Sequence, residues 1–521
     1  MSTVQDKFHW ATRHHLAGEL PAAEKLYREV LALVPNHFQA LQNLGAIAGA
    51  VGRYDLAIDF LNRAIAVNAN LPDAHYNLGN ALHDMARHDE ALAAYERAIQ
   101  LAPGNVDAHS AMVFAAHSHS KYSARDLLAE LRRWSRCHAE PLAGFIKPHT
   151  NTPHEQRPLR IGYISADLRD HVIGHCMLPI LRNSDTHRYP SYLYSQMTDQ
   201  PDKVTDELRS LCQGWRDISQ EPDEAVASQI RQDGIDVLVD LMLHTSRNRL
   251  LVFARKPAPV QVTFLAYAGS SGLGAMDYRL SDPYLDPPET DLSVYSEQTW
   301  RLPKTYWCYV PRCDFRKAPR SGAGVVFGCL NHYSKVSKPA LDLWSRLLLE
   351  LPGSRLRLYA PQGGAREDVW KRLGTHGIAR ERIDFVGWQP FDGYMRSLGE
   401  MDVALDPFPY GGGITTLDTL WMETPVVTLR GRTGVGRGGA SILSNIGLGE
   451  LIADTPEQYV HLAVDLAGNS ARRAELRGGL RKRILGSALT DVAGYTQDVE
   501  AAFRGMWINW CRAKGLDSYR G

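Results

Sequence analysis

The sequence predicts an α-solenoid followed by two α/β lobes, each a parallel sheet wrapped by helices. Three observations carry this expectation. Small and bulky apolar residues recur every 34 positions through the first 120 residues. From about residue 158, short apolar runs alternate with helical stretches, the pattern of a doubly wound sheet. The alternation starts afresh near residue 322, and a chain of 521 residues is too long for a single core.

The repeat is legible residue by residue. Ala23, Ala57 and Ala91 are in register, as are Tyr27, Leu61 and Tyr95, then Val30, Ala64 and Ala98. Leu44-Gly45 recurs as Leu78-Gly79, and Pro35 as Pro103. Small residues where two helices close up, bulky ones beside them and Pro at the exit make the tetratricopeptide pattern. Each helix pair cannot bury its apolar face alone, so neighbours stack into a concave arm. Such arms bind peptides or proteins in their groove; the competing reading is a spacer or dimerisation arm. Residues 1–120 are assigned to it, with Asn105 to His119 as the first helix of a fourth unit. Residues 121–157 read as a helical linker, ending in the Pro-rich Lys147 to Pro158.

The first lobe is expected over 158–316. Leu159 to Ser165, Tyr189 to Ser195, Ile235 to Leu243 and Val260 to Ala266 read as strands, and Asp223 to Asp233 as a helix. Ligands of such sheets sit beyond the carboxyl ends of the strands. Two His-bearing loops lie there. In Ser165-Ala-Asp-Leu-Arg-Asp-His171-Val-Ile-Gly-His175, His171 stands at a strand-to-helix junction, where an imidazole can deprotonate or orient a hydroxyl. His175 reads as a packing or capping residue; its i, i+4 spacing to His171 lacks a third metal ligand. His244 ends the Ile235 strand and is a candidate contact to donor or acceptor. Ala268-Gly-Ser-Ser-Gly272 is a further glycine turn.

The second lobe is expected over 317–490, with strands at Gly324 to Leu330, Arg355 to Tyr359, Ile383 to Val386, Val403 to Leu405 and Val426 to Leu429. Lys335 falls between the first strand and the amphipathic helix Ala340 to Leu351, placed to neutralise a leaving diphosphate. The richest stretch is Asp406-Pro-Phe-Pro-Tyr-Gly-Gly-Gly-Ile-Thr-Thr-Leu-Asp418. A glycine turn feeding a helix N-terminus presents free N–H groups to an anion. Thr415 and Thr416 would add hydroxyl donors, and Asp418 would accept from a ribose. The bland alternative is a tight turn with a Thr cap. Tyr394 is expected in the loop after Val386, stacked on a base. The run Gly434 to Gly439 matches G-x-G-x-x-G but is not the first turn of its lobe, so it reads as a mobile loop bringing Arg437 toward the donor. Residues 491–521 form a terminal helix carrying Trp507 and Trp510.

Charge and cysteines bound the rest. Lys plus Arg and Asp plus Glu both number 58, so the chain lacks the basic excess of a nucleic-acid binder. There is no apolar run of membrane-spanning length and no signal-peptide core. Seven scattered cysteines form no C-x-x-C pair, which fits a reducing cytoplasm.

Together the 34-residue repeats, Asp167-x-x-x-His171, Asn331-x-x-x-Lys335 and Gly412-Gly-x-Thr-Thr-x-Asp418-x-Leu-Trp421 resemble the O-linked GlcNAc transferase and SPINDLY family. Arg255-Lys-Pro-Ala-Pro-Val-Gln-Val and Met276-Asp-Tyr are similar to its first-lobe signatures. The resemblance implies a GT-B fold, two Rossmann-like lobes facing across a cleft. It implies inverting transfer from a nucleotide-sugar, UDP-GlcNAc foremost, to Ser or Thr hydroxyls of proteins or peptides docked along the arm, without a metal. His171 would then lie near the acceptor as the proposed base, and Lys335 on the diphosphate with Asn331 and His332 beside it. Thr415 and Asp418 would be the phosphate and ribose contacts. Tyr394 falls where the animal enzymes stack a His on uracil. Gly413 and Ile414 stand where those enzymes have His-Thr, and Asp236 stands for a first-lobe His; the chain also lacks their insert between lobes, and its arm is short. The alternatives within the family are an O-fucosyl- or glucosyltransferase. Two others are a sugar-nucleotide epimerase and a non-catalytic repeat scaffold with a silent body.

Overall fold

The structure, a computed structural model, describes residues 3–316 and 324–518. The expected junction at 317 and positions 519–521 of the expected terminal helix lie outside the described residues.

Eight helices make the arm: α1 (Val4–Leu16), α2 (Leu20–Leu33), α3 (Phe38–Ala50), α4 (Tyr54–Val67), α5 (Pro72–Asp84), α6 (His88–Leu101), α7 (Val106–Ala116) and α8 (Ala124–Trp134). The odd-numbered helices from α1 to α7 begin 34 residues apart, the spacing read from the alanines. The recurring Leu-Gly has a steric cause. A Cβ on Gly45 would lie 2.5 Å from Leu61 Cγ, and one on Gly79 2.5 Å from Tyr95 Cε1. Only glycine lets each pair close. The fourth unit has both helices: α8 carries an Ser123–Asp126 capping box in the stretch read as linker.

The first sheet contains β1 (Ile161–Ser165), β2 (Ser191–Ser195), β3 (Gly214–Asp217), β4 (Val237–Asp240), β5 (Val260–Thr263), β6 (Tyr278–Ser281) and β7 (Gln298–Arg301). Its order is β3-β2-β1-β4-β5-β6-β7, parallel throughout. The second contains β8 (Val326–Cys329), β9 (Arg355–Tyr359), β10 (Ile383–Val386), β11 (Val403–Leu405), β12 (Val426–Leu429) and β13 (Ile452–Ala453). Its order is β10-β9-β8-β11-β12-β13, again parallel. Each sheet reverses its winding once, between β1 and β4 and between β8 and β11. A crevice opens at the carboxyl side of each reversal.

The helix Val492–Ser518 returns to the first lobe. Phe503, Met506 and Trp507 join its core, and Trp507 Nε1 donates to the His154 carbonyl at 3.1 Å. Trp510 stacks on Trp507 at 4.7 Å. The arm docks on both lobes. Met85 and Ala86, in the α5–α6 turn, enter the second lobe's core, and Asp55 accepts from the Gly364 N–H at 2.8 Å. On α7, Phe114 meets Tyr267 of the first lobe and Tyr410 of the second, at 5.5 and 6.1 Å.

Candidate active site in the crevice between the lobes

Strand order explains why distant residues meet. β8 and β11 are neighbours, so the loop after β8 and the glycine turn after β11 leave the sheet side by side. Lys335 lies in a short 3-10 turn, Tyr333–Lys335, and Ile414 opens the helix Ile414–Trp421. The Lys335 ammonium donates to the Gly411 carbonyl at 3.3 Å and stands 4.1 Å above the Tyr410 ring. Burial lowers its pKa to about 8, against the pull of the Asp406 carboxylate. It therefore remains charged at neutral pH in a poorly solvated place, where a charge acts strongly.

Asp406 organises the turn. It accepts the Gly412 N–H at 2.8 Å and the Thr428 hydroxyl at 2.7 Å. A Cβ on Gly412 would lie 2.2 Å from Thr416 Oγ1 and 2.7 Å from Asp406 Oδ1, so the turn needs glycine. Lys335, Gly411 to Thr415, Tyr410, Tyr306, Trp307, Val172 and Ala266 to Ala268 share one cavity of about 190 Å³ with Gly434, Val435 and Gly438. The crevice thus gathers Lys335, Gly413, Ile414 and Thr415. Asn331 is buried nearby, its Nδ2 3.8 Å from Cys329 Sγ and its Oδ1 unpaired. His332 is exposed, with Nδ1 2.8 Å from the Ser334 hydroxyl.

On the first lobe, His171 caps the helix Val172–Asn183, and its Nδ1 accepts the Ile173 N–H at 3.3 Å. Burial holds its pKa below the usual imidazole value, although Asp167, 3.7 Å away, opposes this. In the neutral ring with Nδ1 accepting, the proton sits on Nε2. The capped ring therefore carries an N–H donor at Nε2, a group suited to orienting a hydroxyl, and its neighbour Val172 lines the crevice. His175 lies inside the helix Val172–Asn183, so it does not cap it, and Asp170 holds its ring at 2.7 Å.

Several expected positions are corrected. Thr416 is buried and its hydroxyl faces Asp406 Oδ1 at 3.5 Å, so only Thr415 of the pair lines the crevice. Asp418 is buried, and its oxygens already receive the Tyr309 and Tyr394 hydroxyls at 2.8 and 3.4 Å; it anchors tyrosines rather than standing open to a ribose. Tyr394 belongs to the helix Phe391–Gly399, not to a loop. Arg437 turns away from the crevice: it donates to the carbonyls of Leu285, Gly431 and Arg432, tying the second lobe to the first. Its glycine run is a 3-10 turn, Gly434–Arg437, packed on the 409–413 turn. His244 is buried between the first lobe and the arm. It contacts the Ser271 carbonyl at 2.8 Å and the Trp134 ring at 5.0 Å, and burial lowers its pKa to about 3. It borders the arm's groove, a cavity of about 410 Å³, not the crevice. Asp236 lies at the opposite end of its strand, paired with Arg157 and Asn151. Gly272, in the other glycine turn, abuts Leu131 of the arm.

Trp307, Tyr410 and the role of Asp406 were missed. A carboxylate ending a strand before a glycine turn was a usable signal for Asp406. Nothing local marks Trp307.

Two like-wound parallel sheets facing across a crevice, with a half-buried ammonium and a glycine-bounded helix start on one wall, define the two-lobed GT-B class of glycosyltransferase fold. The chain belongs to glycosyl transferase family 41, whose model matches residues 102–316 and 314–499. Tetratricopeptide models match 50–85 and 72–105. The chain is 33% identical over 375 residues to the probable UDP-N-acetylglucosamine–peptide N-acetylglucosaminyltransferase SPINDLY of Arabidopsis thaliana, covering 70% of this chain and 41% of that one. Identity to the protein so named from Petunia hybrida is 34% over 373 residues, covering 69% and 40%. The chain thus spans about two fifths of the length of these relatives. A structure of a mutant O-GlcNAc transferase from Thermobaculum terrenum superposes with a TM-score of 0.92 at 36% identity, covering 99% of this chain and all of that one. Among the described residues no helix is long and apolar enough to cross a membrane.

Proposed function

We propose that the protein transfers N-acetylglucosamine from UDP-GlcNAc to Ser or Thr hydroxyls of proteins, with inversion at the anomeric carbon. The observation that carries this reading is the Lys335 ammonium on the Gly411 carbonyl, at the start of the helix Ile414–Trp421. Ammonium, backbone N–H groups and the Thr415 hydroxyl converge where a diphosphate would develop charge on leaving. The acceptor lies along the arm's groove with its hydroxyl entering from the first lobe. His171 orients that hydroxyl through Nε2, the oxygen attacks the face of the sugar opposite the departing UDP as the anomeric C–O bond to the diphosphate breaks, and the hydroxyl proton leaves on the departing diphosphate. Fixed protein charge, not a metal, meets the leaving group, so turnover should be unchanged in EDTA. Seven unpaired cysteines suit a reducing cytoplasm.

The test is a thermal-shift series with UDP, GDP, UDP-GlcNAc and GDP-fucose, followed by transfer of labelled GlcNAc to candidate proteins. A ligand at 100 times its dissociation constant stabilises by about 2.7 kcal/mol. Stabilisation by GDP compounds but not by UDP compounds would overturn the donor assignment. Release of an altered sugar with no modified protein would replace the transferase by an epimerase.

A further inference from the structure

The walls of the crevice differ in chemistry. Lys335 and the Gly411 to Gly413 backbone are polar, whereas Val172, Leu265, Tyr306, Trp307 and Ile414 form an apolar lining. Trp307 is the unusual member. It follows the first sheet's last strand by a few residues, yet its indole is inserted between two helix starts of the second lobe. A Cβ on Gly413 would stand 2.8 Å from Trp307 Cη2 and Cζ3, and one on Gly438 3.4 Å from Cζ2. The far edge of the indole therefore occupies the space that any side chain at position 413 would need.

The ring is held there from both lobes. Its Nε1 donates to the Ser441 hydroxyl at 3.2 Å, and that hydroxyl donates to Asp282 Oδ2 at 2.6 Å. The same carboxylate oxygen accepts the Tyr306 N–H at 2.8 Å. Tyr306 meets the indole edge to face at 5.2 Å and 86°. Trp307 is nonetheless only partly buried, and what remains uncovered borders the crevice.

We propose that Trp307 is the specificity-determining residue for the donor's glycosyl group, and that residue 413 is glycine so that this indole can stand beside the helix start. This rests on the transferase reading. A diphosphate drawn to Lys335 and the Ile414 helix carries its sugar into the adjoining space, which the indole bounds. A rigid aromatic wall fixes the orientation of a ring with apolar C–H faces and limits the substituents that fit.

The test measures dissociation constants of UDP, UDP-GlcNAc and UDP-glucose for the full chain by calorimetry. Trp307→Leu should change the ratio of the UDP-GlcNAc to UDP-glucose constants by about tenfold, while UDP alone moves less than about threefold. A ratio that moves less than about threefold, or an equal loss for UDP, would overturn the proposal. Gly413→Ala should weaken UDP-GlcNAc binding about tenfold, and most of that loss should vanish in the double variant with Trp307→Phe, whose shorter ring clears the new methyl. This second arm decides the matter if Trp307→Leu does not fold; strictly additive losses would count against the proposal. Wild-type protein that binds none of the three ligands would remove the transferase reading and this inference together. Wild-type binding with no effect of either Trp307 variant would remove this inference alone.

Discussion

The two sheets share a winding order, yet their reversal points are furnished differently. Between β8 and β11 the second lobe places a half-buried ammonium, a buried carboxylate and a glycine turn whose Gly412 N–H is held by that carboxylate. Between β1 and β4 the first lobe also places a buried carboxylate, Asp240, which accepts the Met242 and Leu243 N–H groups at 3.0 and 2.9 Å, but beside it stand a half-exposed His171 instead of an ammonium and a His244 that serves the arm. Equal topology makes equal crevices; the loops decide what each can hold. A desolvated Lys335 is costly, and Asp406, the Gly411 carbonyl and the Tyr410 ring compensate by favouring its charged form. The second lobe thus sets a fixed positive charge on its wall of the crevice, whereas the first sets an imidazole whose neutral form burial favours.

The largest expected effect breaks the charged side of that contrast. Lys335→Ala should lower the rate of transfer by about 10²–10³-fold with the far-UV spectrum and Tm nearly unchanged; near-normal turnover would mean that the ammonium is structural. On the neutral side, His171→Ala should cost about 10–100-fold in kcat. His171→Gln, which keeps an N–H donor but no base, should cost clearly less. If Gln and Ala are equally damaging, the ring acts by taking a proton.

The pH profile sharpens the comparison further. The Lys335 pKa is about 8, and the active form is the ammonium, so activity is present below that value and lost above it. In kcat/KM, which reports the free enzyme, the decline should begin near pH 8 and approach about tenfold per unit. A profile flat to pH 10 would sink the electrostatic account. The smallest effect on the donor concerns His244→Ala, which should leave UDP affinity within about twofold, because the side chain faces the arm. Its signature is acid stability instead. The folded pKa is depressed to about 3, so the neutral form's stabilisation is full above about pH 6.5 and is lost as pH falls from there toward 3. One such histidine contributes a slope of at most about 1.4 kcal/mol per pH unit in urea unfolding, and the variant should show a shallower acid slope.

Legibility followed the range of the forces involved. The arm was readable because helix pairs packing on their own neighbours leave a strict period. Most central strands were readable because burial on both faces makes them nearly continuously apolar, as in Val237, Leu238 and Val239; β6, equally buried, was not, because Arg279 and Ser281 interrupt its apolar run. The strands β3 and β7 were not, since they are sheet edges with partly exposed residues, and β13 has only two residues. In the site, Lys335 and the 411–415 turn follow from position at a strand end. Thr416, Asp418, Arg437 and His244 were misjudged because their chain positions are right and their side-chain directions are not. Direction is settled by packing, as when Arg437 finds three carbonyls away from the crevice.

By itself the sequence determined an arm of helix pairs, two parallel sheets, and an ammonium and a glycine turn each at a strand end. These follow from local periodicity and from the short reach between a strand and the helix after it. That those strand ends are neighbours came from the strand order. Only the tertiary structure decided which hydroxyl of the threonine pair faces the ligand space, that α7 touches the ring beneath Lys335, and that Trp307 fills the place beside Gly413. The last two depend on contacts between residues about a hundred or more positions apart and the first on how a short loop folds back on Asp406, and close packing selects among such arrangements after the local elements have formed.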